Sequence, residues 1–366
     1  MKVICNRGAL LEALTVTGNV VASRTPKPAL QCVKLSAGDN ELIASATDLE
    51  VAIVYRDAQV EVAEPGEILV PADKFRDIVR ESIDDTLSIE SEGDMALVKG
   101  HDALFKIYTQ AVESFPPVPG FEGQVDFEIK AGHVKRLIVQ STFAAAKEST
   151  RYAFNGVLIN VKGKRVSFVA SDGRRLAEAR GDLVSGKTDK EGRKVIVPVK
   201  ALSLIDKLLD NPDDSVGFQI RENQITVHTS TATLTSNLVE GQFPPYEEVI
   251  PKDCDKKMIA ATPEFLSAVR QAALLATEEG KGVRLAFSKK GLVLSSQALG
   301  AGESTINFPC KYEGQEIEIR FNPVFLIDGM RVIDTDEVSL ELTTPTRPGL
   351  LRGGPDFLYV IMPVNQ

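Results

Sequence analysis

Tryptophan is absent from this 366-residue chain, and aromatic residues make up only 6% of it. Its cores must therefore be built mainly from aliphatic side chains. Histidine is scarce as well. His101, His133 and His228 are isolated from one another, and neither they nor the cysteines show a metal-ligand spacing. The four cysteines, Cys5, Cys32, Cys254 and Cys310, form no Cys-x-x-Cys pair, so buried free thiols in a reducing compartment are the simple reading. Apolar runs are about strand length, well short of the roughly 20 residues that cross a bilayer. Asn6 and Arg7 interrupt any signal-like stretch after Lys2. These absences exclude a disulfide scaffold and a helical membrane protein. They predict a soluble, cytoplasmic protein with no metal and no cofactor.

What is present is a globular composition, 43% hydrophobic and 25% charged, with a net charge of −9. That charge argues against a surface coated uniformly by nucleic acid. It leaves open a local basic face. The chain is also too long for one ordinary core, and it repeats itself. Ala46-Thr47-Asp48-Leu49 matches Ala170-Ser171-Asp172-Gly173 at an offset of 124 residues. Ile68-Leu69-Val70-Pro71 matches Val195-Ile196-Val197-Pro198 at 127, and Phe115-Pro116-Pro117 matches Phe243-Pro244-Pro245 at 128. A third copy is fainter, with Gln297 in place of the aspartate, and is assigned on pattern.

Each copy opens with a helix bearing one apolar stripe. The stripes are Leu10, Leu14, Thr17 and Val21; then Val134, Leu137, Ile138, Ser141 and Ala145; then Phe265, Val269, Ala272, Ala273 and Ala276. Thr262-Pro263 suits a cap and first-turn proline. Strands follow, then second helices over Ala72 to Glu81, Lys200 to Leu209 and Asn322 to Ile333. Leu204-Ile205-Asp206 recurs as Leu326-Ile327-Asp328. The expected architecture is α+β: three tandem domains, 1–124, 125–254 and 255–366, each with two helices on sheet and separated by Pro-rich segments. The faces opposite the stripes carry Arg76, Arg80, Lys135, Arg136, Lys200, Lys207, Arg270 and Arg331. Solvated helix faces would explain any one of them. Together they predict one mild basic surface able to hold duplex DNA through its phosphates without reading sequence.

Gly181-Asp182-Leu183-Val184-Ser185-Gly186-Lys187-Thr188 fits a phosphate-binding loop letter for letter. A working loop needs a helix directly after it, so that amides at the helix N-terminus cradle the phosphate. Here a polar stretch and then the strand Val195-Ile196-Val197 follow. The offset also grows from 124 to 127 across this region, which places the motif in a lengthened loop between strands. Asp84-Asp85, Asp213-Asp214 and Glu278-Glu279 lie in polar turns or near helix ends, and no nucleophile–base pairing is evident. The chain reads as a non-enzyme.

Four segments carry a resemblance to the bacterial DNA polymerase sliding clamps, the β subunits of the replicative DNA polymerase III holoenzyme. Arg151-Tyr152-Ala153-Phe154-Asn155-Gly156-Val157-Leu158 resembles the family's R-Y-x-L-N-G-x-L. Ser171-Asp172-Gly173-Arg174-Arg175-Leu176-Ala177 resembles [TS]-D-G-[HR]-R-L-A. Phe243-Pro244-Pro245-Tyr246 with Pro251-Lys252, and Tyr359-Val360-Ile361-Met362-Pro363-Val364, resemble two further motifs. The likeness spans the whole length.

The resemblance implies half of a closed ring: a homodimer packed head to tail, encircling double-stranded DNA as a processivity factor. It implies an interface that includes Lys74, Phe105, Ile107, Leu274 and Leu275, although core packing would equally explain the apolar ones. It implies a pocket for short linear motifs, with a Gln and an apolar or aromatic tail, from the replicative polymerase, the clamp loader and repair proteins. By motif the lining is Arg151, Phe154, Ser171, Gly173, Arg174, Arg175, Leu176, Pro244, Val249, Asn322, Phe325, Val360, Ile361, Met362, Pro363 and Val364, with Arg175 and nearby backbone groups orienting the peptide. Arg24 and Lys200 match positions that face the duplex. Glu248, Gly280 and the terminal Asn365-Gln366 depart from the pattern of some members, which points to peptides of different flanking charge. A three-repeat interaction scaffold that never encircles DNA is the alternative reading.

Overall fold

The apolar stripes become helices because each buries one face and stops where local chemistry breaks the ladder. In the computed structural model, which describes residues 1–364 except 23, 58, 122, 148–151, 187–191, 277–281 and 299, α1 spans Arg7–Gly18 and buries Leu10, Ala13, Leu14 and Thr17. The Asn6 side chain caps it by accepting from the Ala9 amide at 3.0 Å. A hydroxyl is tolerated in the stripe because Thr17 Oγ1 donates to the Ala13 carbonyl at 2.7 Å. Ser141 does the same toward Leu137 in α3 (Ala131–Thr142). Helix α5 (Thr262–Ala273) buries Phe265, Val269 and Ala272.

Several helix ends differ from expectation. Val21, Ala145 and Ala276 lie beyond the last helical turns, where amides bond three residues back, as Ala145 does to Thr142. Thr262 is not a cap. Ala261 occupies that position, Thr262 is the first helical residue, and its hydroxyl donates to the Thr335 carbonyl at 2.8 Å. The second helices are α2 (Ala72–Glu81), α4 (Val199–Asp206) and α6 (Pro323–Arg331). Helix α4 ends before Leu209 because Leu208 and Leu209 bond to Ile205 and Asp206 in the tighter three-residue pattern. Asn322 caps α6 from outside, accepting from the Val324 amide at 2.9 Å.

The chain divides into two compact units: Met1–Val134 with Val184–Gly186 and Lys200–Leu238, and Lys135–Leu183 with Lys187–Val199 and Val239–Gln366. In the first unit, Lys2–Asn6 lies in a five-stranded sheet that ends on the edge strand Leu104–Tyr108. A nine-stranded sheet runs from Ser185–Gly186 to Gly66–Pro71, with Ala232–Asn237 paired to Val51–Asp57 at its centre. In the second unit, a nine-stranded sheet runs from Arg193–Pro198 to Lys311–Glu313, with Arg175–Asp182 paired to Phe357–Ile361 at its centre. A four-stranded sheet there ends on the edge strand Gly302–Phe308.

All named pairings are antiparallel, and the sheet order divides each nine-stranded sheet into four strands from one repeat and five from the next. The repeat is therefore α+β, two helices with one five-stranded and one four-stranded half. Arg7 ties α1 to α2 by donating to the Val79 and Arg80 carbonyls at 3.0 and 2.6 Å, satisfying groups a helix C-terminus leaves open.

Candidate functional site

The turn between Arg165–Ser171 and Arg175–Asp182 begins the site. Asp172 Oδ1 accepts from the Arg174 and Arg175 amides at 2.9 and 3.0 Å. Ser171 Oγ accepts from the Gly173 amide at 3.1 Å and donates to the Arg175 carbonyl at 2.7 Å. Gly173 sits at φ 86°, in the left-handed region that favours glycine, and its nearest neighbour would leave room for a Cβ. Conformation, not space, favours glycine here. The Met362 amide donates to the Arg174 carbonyl at 2.9 Å, which ties the turn to the end of Phe357–Ile361. That strand sets Val360 directly opposite Leu176.

Leu176 and Val360 join a buried cluster with Ala153, Leu158, Ile196 and Tyr246, against which Phe243 packs. Phe243 meets Phe154 edge-on at 6.0 Å and Tyr246 at 6.3 Å. Burial pushes the Tyr246 hydroxyl pKa up to about 12, so it remains neutral. Above this floor is a cleft of about 510 Å³, lined by Phe154, Ser171, Gly173, Arg174, Arg175, Leu176, Phe243, Pro244, Tyr246, Val249, Val360 and Met362. Val249 is 47% and Met362 39% exposed, so the rim carries uncovered apolar surface. A mainly apolar floor with a few fixed polar groups suits an apolar side chain carried on an extended backbone.

Most expected pocket residues meet here, and others fall elsewhere. Ile361 is fully buried in the sheet. Asn322 serves as a helix cap. The Val364 amide donates to Arg320, and Val364 lines a separate cleft with Arg284 and Pro345. Pro363 is half-buried beside the pocket, outside its lining. Arg151 lies outside the described residues, as do Gly280, Glu278-Glu279 and Asn365-Gln366.

Arg175 lines the cleft with its charge already engaged. Its guanidinium is fixed within the chain, donating from Nε to Asp172 Oδ2 at 3.0 Å and from Nη1 to Asp328 Oδ2 at 2.8 Å. It lies over the Phe325 ring at 4.6 Å, with Phe143 at 5.7 Å. Burial opposes its charge, but bonds to Asp328 and Tyr359 and the Asp172 charge outweigh that and raise its pKa. Among the described residues lining the cleft, the exposed cation is Arg174. Asp172, Asp328, Phe243 and Tyr246 join the site beyond the expected residues, and the recurring Leu-Ile-Asp triplet and the Phe-Pro-Pro-Tyr motif are the sequence signals nearest to the last three.

The expected phosphate contacts are unequal. Arg24, Lys135, Arg270 and Arg331 are exposed. Arg76 pairs with Asp73 at 3.0 Å, and Arg80 with Asp77 and Glu81 at 3.1 Å. Lys200 bonds Asp48, and Lys207 donates to Asn19 at 2.7 Å. Arg136 turns inward, donating to the Arg180 carbonyl at 3.1 Å, while its Nε is buried without a partner.

At the expected interface, Lys74 is exposed, Leu274 is 81% and Phe105 39% exposed, and Leu275 is half-buried. Ile107 is buried in the sheet. Among the described residues no cluster of His, Cys, Asp and Glu could hold a metal, and no helix is long and apolar enough to cross a membrane.

The phosphate-loop string is strand rather than cradle. Gly181 and Asp182 end Arg175–Asp182, and Ser185–Gly186 pairs with Phe127 and Glu128. The Leu183 and Val184 amides already donate to Lys164 and Glu128. Lys187 and Thr188 lie outside the described residues.

The repeated helix-on-sheet unit and its apolar pocket define a clamp-type protein of three like domains, and comparison with known proteins agrees. Residues 1–119, 128–245 and 247–365 match the N-terminal, central and C-terminal domains of the DNA polymerase III beta subunit. The beta sliding clamp of Pseudomonas aeruginosa is 34% identical over 98% of both chains, and that of Escherichia coli K12 is 31% identical over the full length of both. The crystal structure of the Pseudomonas aeruginosa sliding clamp bound to griselimycin superposes with a TM-score of 0.95, covering all of both chains. The sliding clamp of Bacillus subtilis, 26% identical, gives 0.94 and covers 100% of this chain and 99% of that one.

The chain belongs to the bacterial β sliding clamp family, the DNA polymerase III β subunits. It acts as a sliding clamp, a processivity factor in DNA replication and not an enzyme, with DNA and a polymerase as its partners.

Proposed function

We propose that two copies of this chain close head to tail into a ring around duplex DNA, and that the cleft above Leu176 and Val360 receives short apolar-tailed motifs from the replicative polymerase, the clamp loader and repair proteins. The domains run 1–124, 125–254 and 255–366, and the ring works in the cytoplasm. The exposed cations Arg24, Lys135, Arg270 and Arg331 face the duplex, with the carboxylate-paired Arg76, Arg80 and Lys200 contributing less.

One observation carries the ring. Wherever one repeat meets the next, a four-stranded half joins a five-stranded half into nine strands. The five-stranded sheet ending at Leu104–Tyr108 and the four-stranded sheet ending at Gly302–Phe308 are the halves left unjoined. Uncovered strand edges are an aggregation hazard. A second copy supplies the missing half for each, and a head-to-tail pairing that closes leaves neither edge open. Exposed Leu104, Phe105, Tyr108 and Leu274 flank these edges.

The test is mass in solution together with retention on DNA. A dimer held on circular duplex and shed on linearisation is expected. A monomer, or equal loss from both forms, refutes the ring and favours the scaffold. For the pocket, Met362→Ala is expected to weaken binding of a Gln-bearing, Leu-Phe-ended peptide by about tenfold, the loss of one well-buried apolar contact. Unchanged affinity, with the dimer intact, refutes the assignment.

A further inference from the structure

The turn that builds the peptide pocket occurs twice. Thr47 Oγ1 accepts from the Leu49 amide at 3.0 Å and donates to the Val51 carbonyl at 2.8 Å, as Ser171 does one repeat later. Asp48 Oδ1 accepts from the Glu50 and Val51 amides at 3.0 and 2.8 Å, as Asp172 does from Arg174 and Arg175. The Asn237 amide donates to the Glu50 carbonyl at 2.9 Å, matching the bond from Met362 to Arg174. Pro116 and Pro117 stand where Pro244 and Pro245 stand. Between them lies a cleft of about 430 Å³.

The lining chemistry is inverted. Thr235 and Asn237 replace Val360 and Met362, Ala52 replaces Leu176, and Glu50 replaces Arg174 at the rim. Among the described residues Glu50 is the one charged group lining the cleft. Asn237 is braced, accepting from Gln224 Nε2 at 3.2 Å and donating to the Leu49 carbonyl at 3.3 Å. That leaves Gln224 Oε1 and the second amide hydrogens of the two side chains for a ligand. Leu49 occupies the conformation that Gly173 occupies, at φ 80°, with its side chain 51% exposed. A branched residue held in a left-handed conformation is strained, and such strain gathers at binding sites.

We propose that this cleft is a second peptide-docking site, one that takes an extended segment anchored by an arginine instead of an apolar side chain. The proposal rests on the peptide-docking reading of the first pocket. An aliphatic or aromatic anchor would cover the Gln224 side-chain oxygen and the second amide hydrogens of Gln224 and Asn237 without giving them partners. A guanidinium instead forks onto Glu50, while its flat face and the stem behind it lie against the walls formed by Pro117 and Pro119. The Leu49 side chain closes over the stem, and Gln224 Oε1 receives an amide of the extended segment.

The test titrates the full-length protein, with labelled Leu and Val methyls, against three probes: acetyl-Ala-Arg-Ala-Ser amide, its Glu analogue, and acetyl-Gln-Ala-Asp-Leu-Phe. The arginine peptide is expected to shift the Leu49 and Val51 methyls. Glu50→Gln, a change at an exposed side chain, is expected to weaken it at least about tenfold, as loss of a charge-assisted pair does. Met362→Ala is expected to leave it unchanged. Absence of shifts at Leu49 and Val51, equal binding of the Glu analogue, or equal affinity in Glu50→Gln overturns the proposal. The Leu-Phe peptide reports separately on Leu176 and Val360, so failure of the first pocket is read independently.

Discussion

Arg175 illustrates how a residue's role follows from partners that sequence distance hides. Its guanidinium bridges a carboxylate three residues away and another, Asp328, 153 residues away. Both bonds run from a side chain that is 12% exposed. A lysine cannot span two carboxylates in one plane or stack on Phe325. Arg175→Lys is therefore expected to lower stability by about 2 kcal/mol and Asp328→Asn by about 1 kcal/mol, the latter retaining an acceptor. Calorimetry checks both. The double variant should fall short of the sum, because the two changes break one network.

Asp48 provides a titration at the same scale. Burial pushes its carboxyl pKa up, but Lys200 and the amides of Val51 and Glu50 pull it down further, so the net shift is downward. A folded-state pKa held below the unfolded value contributes stability above pH about 4, and this is lost as pH falls through the folded value. Lys200→Met is expected to flatten that acid limb in stability measured from pH 5 down to 2. An unchanged limb would mean that the backbone amides alone hold the shift.

Among elements, the helices were legible and the seams were not. Stripes such as Val134, Leu137, Ile138 and Ser141 reach the sequence directly, because a helix is local and its period is 3.6 residues. Helix ends were read one to three residues long, since a final tight turn keeps the apolar spacing after the α-helical bonding has ended. The pairing of Val51–Asp57 with Ala232–Asn237 left no comparable mark, because register across a long separation depends on tertiary packing. The pocket's turn was readable from its Ser-Asp-Gly, whereas its Phe243 and Tyr246 walls lay in a segment that read as linker.

The seams do give a register for the unjoined edges. Ile53 lies opposite Leu234, and Ala177 opposite Tyr359. The equivalent residues are Ser304, opposite Ser296 as Ile53 is opposite Ala46, and Phe105, opposite Val98 as Leu234 is opposite Val227. Directly opposed antiparallel residues are about 4.5–5.5 Å apart at Cα, within disulfide range. Phe105→Cys with Ser304→Cys is expected to yield an oxidised covalent dimer, and neither single change should do so. A crosslink that forms equally well with the second cysteine moved to Thr305 would refute this register.

For the whole molecule, net charge and function are reconciled by enclosure. At −9 the chain has little affinity to spend on DNA, and several of its helix-face cations are already paired. Topology, rather than phosphate contact, must then do the holding. Rising salt is expected to leave retention on closed circles nearly unchanged while abolishing weak binding to short linear duplex, where counterion release dominates. Electrophoresis of the two DNA forms over a salt series measures this. Parallel loss from both would mean contact alone retains the protein.

The sheets that cross from repeat to repeat also determine where such a ring yields. Inside a chain, the paired strands at each crossing are tethered by the polypeptide, so a broken seam meets its own other half again at high effective concentration, on the order of millimolar for short linkers. Between chains the same kind of seam has no tether, and its re-formation follows the concentration of free subunits. Seams of like hydrogen bonding therefore differ in lifetime through connectivity alone, and the ring's hinge is the place where the chain is cut.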